Sequence, residues 1–86
     1  MPNIKQQEKR VRSAARQRLE NLRYRSTVKT LTRRLERAVA DGDADAIRAA
    51  HTELQRWIDR AASRGALHRN AAARKKAQAT RIASRS

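Results

Sequence analysis

Helix breakers are almost missing from this chain. Its one proline stands at position 2, and its two glycines are Gly42 and Gly65. Ala, Arg, Leu, Lys, Gln and Glu fill most of the remaining positions, and all are good helix formers. Each glycine sits where a helix C-terminus favours a residue that tolerates φ > 0. Over 86 residues this punctuation predicts one small all-α domain, 1–86, built of three helices.

The first helix is expected over about 4–40. Asn3 is its candidate N-cap, with Gln6 three residues on in a capping-box arrangement. Asp41-Gly42-Asp43 is the turn, after which Asp43 caps a second helix over 44–62 and Asp45 adds a carboxylate near its positive end. Ser63-Arg64-Gly65 forms the next turn. The third helix is expected over about 67–83, with Asn70 as an alternative start. Connections this short favour antiparallel neighbours, hence a three-helix bundle.

Periodicity shows which faces meet. At about 100° per residue, Ile47, Ala50, Leu54, Trp57, Ile58 and Ala61 form one stripe on the second helix. On the first, Tyr24, Val28, Leu31, Leu35, Ala38 and Val39 form another. Val11, Ala15, Leu19 and Leu22 fall on a different arc, rotated by well over ~100°. The predicted core is Val28, Leu31, Leu35, Ile47, Leu54, Trp57, Ile58, Leu67 and Ala72. It is a thin core, because only 13 residues are Val, Ile or Leu while 17 are alanine. Length sets the arrangement: the first helix should reach about 55 Å and the second only about 28 Å. Folded back, the second covers the first to about Leu22, and a long N-terminal segment projects beyond the bundle.

Charge follows the same division. The 22 Lys and Arg outnumber the 8 Asp and Glu, for a net charge of +14. Residues 1–40 carry +9, residues 41–60 carry −2, and residues 61–86 carry +7 with no acid. The projecting arm holds Lys5, Lys9, Arg10, Arg12, Arg16 and Arg18 against the single acid Glu8. Helices one and three are therefore the expected binding elements and helix two the strut between them. Seventeen of the cations are Arg, whose planar guanidinium makes bidentate contacts to phosphate that Lys cannot.

Other chemistries are poorly supplied. With no cysteine there is neither a disulfide framework nor a thiolate zinc site. His51 and His68 stand on different helices with no Cys for a nucleophilic pair, so no enzyme and no small-molecule substrate is expected. Asp41-Gly42-Asp43-Ala44-Asp45 starts like a calcium loop, but Ala46 and Thr52 stand where Gly and Glu are needed; no metal and no cofactor is expected. Apolar windows are too short to span a membrane, and the first residues lack the apolar run of a secretory signal, so the expected location is cytoplasmic. With only Tyr24 and Trp57 aromatic, base stacking on single strands is disfavoured, and duplex shape, phosphate and 2′-hydroxyl are the expected targets. Two rivals use the same charge: a nucleoid-type DNA-packing protein and a membrane-surface peptide.

Three blocks of residues resemble the bacterial small-subunit ribosomal protein twenty family over essentially the whole chain. They are Pro2-Asn3-Ile4-Lys5 with Lys9-Arg10; Asn21 and Ser26 with Val28-Lys29-Thr30; and, most specific, residues 61–76 with His68-Arg69-Asn70 and Arg74-Lys75-Lys76. The resemblance implies a three-helix bundle with a long first helix that binds 16S ribosomal RNA. It implies a place in the small ribosomal subunit, bridging several RNA helices during assembly with few protein–protein contacts. Beyond the arm cations, the expected RNA-binding set holds Asn3, Asn21, Arg23, Arg25, Ser26, Lys29 and Arg33 on the first helix. On the third it holds His68, Arg69, Asn70, Arg74, Lys75, Lys76 and Arg81.

Overall fold

The computed structural model describes residues 4–85. Three helices account for nearly all of them: α1 (Ile4–Asp41), α2 (Ala44–Ser63) and α3 (Arg69–Ala83). The Asn3 cap, and Asn3 itself as an RNA-binding residue, lie outside the described residues.

Both turns follow from local chemistry. Gly42 (φ +71°) closes α1 with its N–H on the Val39 carbonyl at 3.1 Å. Asp43 then caps α2, its Oδ1 accepting from the N–H groups of Asp45 (3.1 Å) and Ala46 (3.2 Å). At the other end of α2, Gly65 (φ +78°) donates to the Ala62 carbonyl and Ala66 to the Ala61 carbonyl. That pair of bonds is a Schellman motif, which satisfies carbonyls the helix end would otherwise leave bare.

The third helix starts later than expected, at Arg69 instead of Leu67. His68 is its N-cap, with extended backbone (φ −67°, ψ 146°) and Nδ1 accepting from the Asn70 N–H at 3.1 Å. Asn70 is therefore inside the first turn and is not a cap. Leu67 stays out of the helix because its side chain turns back into the core, where it is 9% exposed.

All three helices share one core. Leu35, Leu54 and Ile58 are sealed at its centre, with Val28, Leu31 and Ile47 around them. Helix α3 buries two small residues, Ala72 and Ala79, and one large one, Ile82. Trp57 was expected inside and lies instead at the edge, partly buried. It sits at the margin of the α2 stripe, so its indole packs on Tyr24, ring centroids 5.8 Å apart and tilted by 52°. Cross-helix contacts report the directions. Tyr24 meets Trp57 and Arg34 meets Glu53, while Asp59 meets Lys76 and His51 meets Thr80, so α2 runs antiparallel to both neighbours.

Helix α1 has 38 residues against 20 in α2, and it outruns the bundle. Residues 4–20 are all exposed, and burial begins at Asn21. The molecule measures 60 × 20 × 13 Å, its long axis matching the ~57 Å rise of α1. Its radius of gyration, 17.0 Å, exceeds the ~12 Å of a compact chain this size, so the overhang dominates the shape.

Two substitutions test this packing. Ile58→Ala, at a fully buried site, should cost about 2–5 kcal/mol. Gly65→Ala should cost about 1–2 kcal/mol from the left-handed backbone alone, since a Cβ there meets nothing within 4 Å. Thermal unfolding followed by circular dichroism measures both.

Candidate nucleic-acid interface

The arm presents its cations without protein cover. Lys5, Lys9, Arg10, Arg12, Arg16 and Arg18 all lie on the exposed overhang. Only Arg12 has an acidic partner there among the described residues, Glu8 at 3.9 Å, an exposed pair of little energy. Where the arm meets the bundle, Asn21 is partly buried and its Oδ1 accepts from Gln17 Nε2 at 3.2 Å. Arg25 Nε donates to the Asn21 carbonyl at 3.5 Å. Beyond it Arg23, Arg25, Ser26, Lys29 and Arg33 are exposed on the side of α1 away from the core. The cationic surface thus runs from Lys5 to Arg33, past the end of the overhang.

The second cationic surface is on α3. Arg74, Lys75 and Arg81 line one open strip together with Arg85. Arg85 was not in the predicted set, although spacing at i, i+4 from Arg81 places it on the same face. No acid stands on α3, so the positive end of its dipole is uncompensated beside exposed Arg69. Because α3 runs parallel to α1, this end lies level with the base of the arm. His68 and Asn70 are exposed there, with the His68 ring engaged as the helix cap.

Lys76 stands apart from the strip. It points toward α2, where Nζ lies 3.0 Å from Asp59 Oδ1. Arg34 of α1 reaches Glu53 of α2 at 3.8 Å. The acids of α2 therefore take up one cation from each neighbour, which fits a strut lying between two basic elements. Arg60 is engaged as well, with its guanidinium carbon 5.1 Å from the centroid of the Trp57 ring. Sequence reasoning placed none of these cross-helix pairs, because they depend on how the helices cross.

The described residues hold no group of three His, Cys, Asp or Glu able to bind a metal. No helix among them is long and apolar enough to cross a membrane. What the surface offers is cationic chemistry suited to phosphate on both α1 and α3.

Residues 2–83 match the ribosomal protein S20 family. The chain belongs to that family. The small ribosomal subunit protein bS20 of Heliobacterium modesticaldum is 43% identical, across 94% of this chain and 92% of its own length. That of a Cyanothece species is 47% identical, across 99% and 93%. The bS20 protein of Shouchella clausii is 38% identical, across 91% and 89%. S20-family members are structural ribosomal proteins and not enzymes.

Removing the His68 ring should weaken α3 at its start. His68→Ala is expected to lower stability by about 0.5–2 kcal/mol, read from thermal melts, while His68→Asn restores most of it.

Proposed function

We propose that this chain is a structural constituent of the small ribosomal subunit and binds 16S ribosomal RNA directly. The observation that carries the reading is the uncovered arm: six cations on a helix that has no protein to pack on, beside an acid-free α3. Family membership supplies the ribosomal setting. The bundle spaces two cationic surfaces, one on α1 and one on α3. Each suits a separate stretch of RNA duplex, so the protein bridges RNA helices as the subunit assembles and then holds them. Lys5, Lys9, Arg10, Arg12, Arg16, Arg18, Arg23, Arg25, Lys29 and Arg33, which surround most of α1, form the cationic surface for one duplex. Arg69, Arg74, Lys75 and Arg81 face the other, with Arg85 beside them. Asn21, Ser26, His68 and Asn70 mark the polar edges of these faces, and Lys76 acts mainly within the protein through Asp59. The cell compartment is the cytoplasm, where such subunits are built.

Binding of this kind releases counterions, with a slope of about −0.9 in log K against log salt per phosphate contact, the value for duplex DNA. About 6–10 contacts should lower affinity by roughly 10³–10⁵ between about 50 and 200 mM salt. Filter binding to a small-subunit ribosomal RNA transcript measures this. Arg12→Gln with Arg16→Gln should flatten the slope by about 2. Equal affinity for random-sequence duplex DNA would favour a DNA-packing role instead.

A further inference from the structure

Four large apolar side chains are exposed among the described residues: Ile4 (73%), Val11 (69%), Leu19 (51%) and Leu22 (55%). All four belong to the N-terminal half of α1. With Ala15 they fall on one seam about 80° wide, roughly opposite the face of α1 that α2 covers. Phosphate contacts alone do not require such a seam, and nothing in the bundle reaches it.

We propose that this seam seats on the shallow, ribose-lined groove of an RNA duplex, a contact that rests on the RNA-binding reading above and fixes which face of the arm meets the RNA. Charge selects the occupant. Residues 4–22 carry six cations and two acids, and Arg12 and Arg18 flank the seam on opposite sides. A polyanion satisfies the flanks while the seam meets sugar carbons between two phosphate rows. The groove of A-form RNA is wide and shallow, so a helix about 10–12 Å across rests on it with its apolar face inward. Glu8 lies within the seam between Ile4 and Val11, and its carboxylate leans to Arg12 on the flank at 3.9 Å.

Other occupants fit less well. A second copy would bring the same cations against these. Its heptad would also fail, because the residue seven after Val11 is Arg18. A lipid surface prefers a broader apolar face with Trp or Phe, and the seam has neither.

The test is a triple variant, Val11→Ala, Leu19→Ala and Leu22→Ala. Alanine keeps helix propensity high, and none of the three sites is in the core, so helicity and melting temperature should hold. Affinity for a small-subunit ribosomal RNA transcript is expected to fall about tenfold, with the salt slope unchanged, since only apolar contact is lost. Duplex DNA of equal length should lose less than about twofold, lacking the same groove. An unchanged RNA affinity in the variant, while the parent protein binds, would overturn the seam and leave the functional reading intact. Absent RNA binding by the parent protein would overturn both. Equal losses on RNA and DNA would overturn the ribose contact. Loss of binding to vesicles of anionic phospholipid, or of self-association in sedimentation, with RNA affinity unaltered, would assign the seam to lipid or to a second copy.

Discussion

Leu35, Leu54 and Ile58 are buried where the three helices meet, and the rest of the molecule depends on that contact. It fixes α2 against the C-terminal half of α1 and leaves the N-terminal half with no partner. The core-facing stripe of α1 ends there too, because toward the N-terminus the same face carries Gln17 and Ser13 and offers α2 no apolar surface. The exposed arm is thus a consequence of unequal helix lengths acting on a short apolar stripe. Self-repulsion among 22 cations opposes compaction. The core counters it by placing the acids of α2 between the two basic helices, where Glu53 and Asp59 each take up a cation.

Much of this architecture was legible before any coordinate was known. Two glycines divide the chain into three, and both take the positive φ their positions demand. The stripe on α2 and the stripe of matching length on α1 predicted the helix pairing, and counting residues predicted the overhang. What escaped prediction depended on tertiary geometry. His68 caps α3 because Leu67 must fold back into the core, which draws residue 68 into extended backbone; propensity alone favoured Leu67 or Asn70 as the start. Trp57 lies at the margin of its stripe, so a small angular offset moved the indole from the interior to the edge.

The interface was legible in outline for a similar reason. Segment charge separated α1 and α3 from α2, but a sum of charges does not say which cations are already engaged. Lys76 follows Arg74 and Lys75 in sequence yet turns to Asp59, because one residue of helix carries it about 100° around the axis. Arg85 joins Arg74 and Arg81 from beyond the end of α3. The apolar residues Val11, Leu19 and Leu22 were visible as a separate arc, and only the packed bundle showed that this arc looks outward.

An unsupported helix is also a lever. From Asn21 to Ile4 the arm rises about 26 Å, so a bend of about 10° at its root carries the tip about 4 to 5 Å sideways. That displacement is close to the rise of a helical turn, and it carries Lys5 and Lys9 with it. Small packing changes around Tyr24 and Trp57, which sit at that root, are therefore magnified far from where they occur. The Tyr24–Trp57 contact thus lies at the fulcrum of a lever whose far end is some way off.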